Sequence, residues 1–199
     1  MFGNKKCLHK SCSQLSLHNS DFCHEHLENK EQYLQMLSSF LKDNKVITGV
    51  NLAKTFLNNL DFSEKIFNFC NFSHTEFRNC NFSKSLLYMV FSDFSTFYSC
   101  DFSHSTIKWS VLSGSLIEDC TFLHSDIIHS AFVGIKTKNS KFNNSDLYSS
   151  RFVSAYLSKT EFIDCNILRT HFENIRTDDT NFKYSNVAEA YFDEDLAET

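Results

Sequence analysis

From residue 50 onward the chain counts in fives. Reading every fifth residue from Leu52 gives Leu52, Leu57, Phe62, Phe67, Phe72, Phe77, Phe82 and Leu87, and the series runs on to Phe192 with only Ser92, Thr137 and Thr177 not large and apolar. An α-helix repeats its face every 3.6 residues and a strand every two, so neither can hold this phase. A period this short over so much of the chain requires stacked coils, each burying its neighbours. The period also explains a composition of 22 Phe with no Pro and only four Gly.

The residue two places before each large one is mostly small, as in Thr55, Cys70, Thr75, Cys80, Ser85, Cys100, Ser105, Cys120, Ser125, Ser140, Ala155, Thr160 and Cys165. Segments 70–74 (CNFSH), 80–84 (CNFSK) and 100–104 (CDFSH) show the unit complete. This pattern resembles the pentapeptide-repeat family, whose motif is a small residue, a polar one, a central Leu or Phe and two variable residues. The resemblance implies an all-β solenoid, a right-handed quadrilateral parallel β-helix with one pentapeptide per side and about seven coils. Residues 20 apart then stack at the spacing of neighbouring strands, about 4.8 Å. One inner column would be Phe62, Phe82, Phe102, Phe122, Phe142, Phe162 and Phe182, and the next Phe67, Leu87, Ile107, Ile127, Leu147, Ile167 and Val187. Ser92, between Phe91 and Phe94, predicts a local bulge or a rotated side.

Cys80, Cys100 and Cys120 share a column with Ser140, Thr160 and Thr180, so they read as small buried residues in place of a metal or redox row. His104 and His124 share an outer column with Glu64, Lys84, Asn144 and Asp164, a solvated face that needs no catalytic base. Neither a G-x-S-x-G elbow nor a Gly-rich phosphate loop is present, and no insertion between coils builds a pocket. Enzymatic activity is not expected.

Residues 1–26 differ in kind, with three of the eight Cys and four of the nine His. Cys7 and Cys12 enclose four residues, ten more precede Cys23, and His26 follows after two. Three thiolates and one imidazole form a tetrahedral Zn2+ set, closed and therefore structural, since a catalytic zinc keeps one position open. The spacing predicts a small zinc-binding segment over 1–26, with His24 or His9 able to replace His26. The other reading is a polar tail with incidental Cys and His. Over 27–45, Leu34, Leu37, Phe40 and Leu41 fall at three- and four-residue spacing, which predicts an amphipathic helix capping the first coil of the 46–199 β-helix.

Outward positions of a solvated solenoid should be polar, and one side is not. Its outward residues include Ile66, Phe69, Leu86, Tyr88, Met89, Trp109, Ile128, Tyr148 and Leu168, among them the only Trp. Phe69, Tyr88, Met89, Trp109, Ile128 and Tyr148 are therefore candidate partner-binding residues for another protein or a second copy in a homodimer. Alternatively, the N-terminal helix or the zinc segment folds back over part of this side.

The resemblance also brings in a competing function, because some pentapeptide-repeat proteins mimic duplex DNA and bind DNA gyrase or another type II topoisomerase. Residues 50–177 carry 12 Lys and Arg against 12 Asp and Glu, whereas 178–199 carry one Lys against seven acids. A phosphate-like charge along the rod is missing. Direct nucleic-acid binding is not expected either, because Lys5, Lys6 and Lys10 are offset by Asp21 and Glu25. No segment has the ~18 apolar residues of a membrane span, and the start lacks the apolar stretch of a secretory signal. The expectation is a cytoplasmic, bacterial scaffold that works through protein contacts.

Overall fold

The computed structural model describes residues 5–193. The sequence series becomes geometry directly, because each residue pairs in parallel with the one 20 places later. Strands Val46–Thr48, Ile66–Asn68, Leu86–Tyr88, Thr106–Lys108 and Asp126–Ile128 form one side in that order. Phe56–Asn58, Glu76–Arg78, Thr96–Tyr98, Leu116–Glu118, Lys136–Lys138, Tyr156–Ser158 and Arg176–Asp178 form the opposite one. Single bridges such as Asn51 to Asn71 and Asp61 to Asn81 make the other two sides. The result is a four-sided parallel β-solenoid of about seven coils, with one helix and a Cys/His cluster at its N-terminal end.

Two features of the repeat hold each coil. The central side chains fill the interior, and rings along the all-Phe column stack face to face, from 4.5 Å for Phe122 and Phe142 to 5.0 Å for Phe162 and Phe182. The small residues two places earlier satisfy buried backbone: Ser95 donates its hydroxyl to the Phe72 carbonyl at 2.7 Å and accepts from the Thr75 N–H at 3.3 Å. Cys100 and Cys165 donate in the same way to the carbonyls of Phe77 and Phe142. Burial pushes the Cys70 and Cys165 thiols up to about 11, and the neighbouring Cys120 side chain drives Cys100 up to about 12, so these thiols stay protonated. Corners are turned at every fifth residue by a positive φ, from Gly49 at 67° through Lys54 at 65° to Tyr184 at 66°.

The expected bulge at Ser92 is absent. Strands Glu76–Arg78, Thr96–Tyr98 and Leu116–Glu118 keep an unbroken 20-residue register past it, and the Ser92 N–H bonds the Val111 carbonyl at 2.7 Å. Ser92 keeps its place because the ladder depends on backbone groups, which a change of side chain leaves intact. The helix, α1 (Lys30–Asp43), starts three residues after the expected boundary because Asn29 caps it, its Oδ1 accepting from the Gln32 N–H at 2.9 Å. Tyr33, Leu37 and Leu41 are its buried residues and join the core with Ile47, Val50 and Leu52, which places α1 over the first coil. At the other end Ile175, Phe182, Val187 and Phe192 line an open depression of about 430 Å3. The acidic Glu194, Asp195 and Glu198 lie outside the described residues.

Candidate metal centre and interaction surface

The N-terminal segment folds back on itself through Lys6 and Leu15, paired as an antiparallel bridge, and the Cys7 N–H bonds the Gln14 carbonyl at 2.9 Å. Turns at His9–Cys12 and Cys23–His26, closed by hydrogen bonds of 3.1 Å each, aim four side chains at one point. The ligand atoms of Cys7, Cys12, Cys23 and His26 all lie within 4.8 Å of one another. Cys12 Sγ and Cys23 Sγ are 3.8 Å apart, and His26 Nδ1 sits 3.6 Å from Cys7 Sγ and 3.3 Å from Cys23 Sγ. A zinc tetrahedron with arms of about 2.3 Å to sulfur and 2.0 Å to nitrogen has edges of about 3.8 and 3.5 Å, so this donor set fits the ion.

Of the three candidate imidazoles, His26 is the one at the cluster. His9 stacks flat on it, ring centroids 3.7 Å apart at 5°, and His24 stays outside. The thiols are not equivalent. Burial pushes Cys7 up, but hydrogen bonds from the backbone at Cys23 and His9 and from the His26 and Cys23 side chains outweigh it and hold Cys7 at about 7. At Cys12 a backbone hydrogen bond from Gln14 acts downward, yet burial and the Cys23 and Cys7 thiols raise it. A cation would relieve that repulsion, since metal binding needs thiolates.

The segment is joined to the solenoid at the first coil, through the bridge residue Asn51. Asn51 is buried, donates from Nδ2 to the Ser16 carbonyl at 2.7 Å and accepts from the His18 N–H through its own carbonyl at 3.0 Å. Lys54 and Glu25 pair at 3.0 Å beside it. The segment therefore sits on the first coil, and among the described residues it does not cover the apolar side. Trp109 remains 48% exposed and Phe69 39%, which removes the fold-back alternative.

Tyr88, Met89, Ile128 and Tyr148 are half-buried on the same side as Phe69 and Trp109. Their rings form a chain: Phe69 to Tyr88 at 5.7 Å, Tyr88 to Trp109 at 5.3 Å, Trp109 to His129 at 6.0 Å, His129 to Tyr148 at 5.4 Å. Arg169 extends it by donating to the Tyr148 hydroxyl at 3.3 Å. Counting single outward columns misses His129 and Arg169, because the ladder zigzags between the two residues that follow each central one. Phe94, 61% exposed and stacked on His74 at 5.4 Å, also escapes a reading that treats it only as a neighbour of Ser92.

Comparison with known proteins finds no match among curated sequences. A trypsin-treated variant of QnrB1, a plasmid-mediated fluoroquinolone resistance protein, is 11% identical over 76% of this chain and 92% of its own, with a TM-score of 0.43. The pentapeptide repeat protein Rfr23 from the cyanobacterium Cyanothece 51142 is 16% identical over 75% and 99%, with a TM-score of 0.44. HetL from Nostoc sp. strain PCC 7120, a pentapeptide repeat protein involved in heterocyst differentiation regulation, is 12% identical over 80% and 96%, with a TM-score of 0.25. With scores this low the assignment rests on sequence and coil geometry. Residues 47–83 match the family described as pentapeptide repeats (8 copies), and the same five-residue period runs on from them through the solenoid to Phe192.

Proposed function

We propose that the chain is a non-enzymatic protein–protein interaction scaffold whose solenoid is closed at its N-terminal end by a structural zinc module. The observation that carries this reading is the contrast between sides of the rod. Two of the other sides are polar, with charges paired across neighbouring coils: Lys138 with Glu118 at 2.7 Å on the side opposite, and Lys141 with Glu161 at 3.5 Å on the side of the all-Phe column. The side bearing Phe69, Tyr88, Met89, Trp109, Ile128 and Tyr148 presents aromatic and aliphatic surface of the composition that buried interfaces use. Such alternating charge also argues against the competing reading, a DNA mimic for a type II topoisomerase, which demands continuous negative potential. At the N-terminal end Cys7, Cys12, Cys23 and His26 hold the zinc. The ion supplies a four-way cross-link to a segment too short to build its own core.

No helix among the described residues is long and apolar enough to cross a membrane. We place the chain in the bacterial cytoplasm, where the buried thiols stay reduced.

A photo-crosslinking amino acid at position 69 or 128, compared with 96 or 141 on the polar sides, tests the scaffold reading in cells. Crosslinks to protein are expected from 69 and 128 only. Equal labelling from all four positions, or none from any, would refute it.

A further inference from the structure

We propose that the metal centre is also a redox switch: hydrogen peroxide joins Cys12 and Cys23 in a disulfide, which releases the ion while the segment stays docked on the first coil. This deepens the zinc reading and rests on it, naming what acts on the same site. Of the eight cysteines only Cys12 is not buried, so an oxidant arriving from solvent meets its sulfur first. Cys23 is buried beside it with the two Sγ atoms 3.8 Å apart, and closing that gap to a disulfide of about 2.05 Å moves each sulfur by less than about 1 Å. The solenoid thiols do not compete. Cys70, Cys80, Cys100, Cys120 and Cys165 are all buried and donate to backbone carbonyls.

The step balances with peroxide as the oxidant. The Cys12 thiolate attacks one peroxide oxygen, the O–O bond breaks, hydroxide leaves and Cys12 becomes a sulfenic acid. The Cys23 thiolate then attacks that sulfur, and the S–S bond forms as the S–O bond breaks and a second hydroxide leaves. Two thiolates lose two electrons, peroxide gains them, and two protons from solvent turn both hydroxides into water. Cys7 and His26 remain as two donors of the four, too few for a closed tetrahedral site, and the ion is released.

Chain order decides what survives the exchange. The loop closed by Cys12 and Cys23 contains Ser16, the buried Leu17 and His18, and it is Ser16 and His18 that bond Asn51 of the first coil. Cys7 and His26 lie outside that loop. The disulfide therefore replaces the ion as the cross-link of the docking loop, whereas chelation removes the cross-link and puts nothing in its place.

The test treats the zinc-loaded, full-length chain with a small excess of hydrogen peroxide, then alkylates it and digests it with trypsin. Cleavage after Lys6, Lys10 and Lys30 places Cys7 in residues 7–10 and both Cys12 and Cys23 in residues 11–30. A chromogenic chelator should register the loss of one zinc per chain. Residues 11–30 should emerge without alkyl groups and lighter by two hydrogens, while residues 7–10 carry one alkyl group. A thiol reductant with added zinc should restore the starting state. Amide exchange around Ile47 to Leu57 should stay slower in the oxidised chain than in the chelated, reduced one. Cys12→His keeps a four-ligand N/S set and should release zinc to peroxide at least about tenfold more slowly. Zinc retained under peroxide, Cys7 joined to either partner, equal release from Cys12→His, or exchange as fast as after chelation each overturns the switch and leaves the zinc module standing. A wild type that holds no zinc overturns both.

Discussion

The three central residues that are not large and apolar have three different fates, set by what surrounds each hydroxyl. Thr137 is buried, and its Oγ1 lies 2.7 Å from the Thr160 Oγ1, so its polarity is matched inside the solenoid. Thr177 falls on the last coil and is exposed. Ser92 is 2% exposed and its Oγ has no hydrogen-bond partner, although Leu112 and Phe72 fill the equivalent sites one coil away. Ser92→Leu removes an unmet polar group and adds apolar contact, for an expected gain of about 1 to 2 kcal/mol. In a chain of this size that is about 2 to 4 °C in melting temperature per kcal/mol, readable by calorimetry. An unchanged or lower value would show that the site cannot hold Leu.

Between elements, the seam of the N-terminal segment with the first coil depends on a histidine that must stay neutral. The His18 ring packs on Phe40 at 4.5 Å, its Nε2 is buried without a partner, and burial holds its pKa below the ordinary value. The unfolded chain then binds the proton first as pH falls. Stability conferred by neutral His18 is complete above about 6.5 and declines as the pH drops from there toward the folded value. His18→Phe keeps the ring packing without the titration. The difference in melting temperature between this variant and wild type, both zinc-loaded, should widen in favour of the variant from pH 7.5 to 5.5. A constant difference would remove His18 from the pH response. At this scale the sequence was partly legible: the apolar spacing of α1 identified Leu37 and Leu41 but not the buried Tyr33, whose hydroxyl disguises a core position. It also ran the helix back to residue 27, because the role of Asn29 as a cap depends on the direction of its side chain.

For the whole molecule, coils couple only to their neighbours, so damage at one end should stay there. Wild type is expected to hold one zinc per chain by elemental analysis and Cys23→Ser none. Chelation should raise amide exchange around Ile47 to Leu57 while the coils from Phe142 to Phe172 keep their protection. Absence of zinc from wild type would reduce the N-terminal segment to a metal-free clasp held by Asn51 and Lys54.

A five-residue period was enough to determine stacked coils that turn Phe inward at every step, because neither a helix nor a strand can hold that phase, while the four sides and with them the inner columns came from the resemblance to the pentapeptide-repeat family. The Cys and His spacing was likewise enough to nominate a four-ligand set. Which ring lies beside the three thiols, His26 in place of His9 or His24, is legible only in the tertiary structure, since a turn at Cys23–His26 aims one ring and stacks another upon it. So was the exposure of Trp109: the same residues would have formed an internal seam had the N-terminal segment docked along the rod, and hydrogen bonds through Asn51 set it on the first coil. Local periodicity is written in every repeat, whereas the docking of one unique segment depends on a few long-range contacts that no period records.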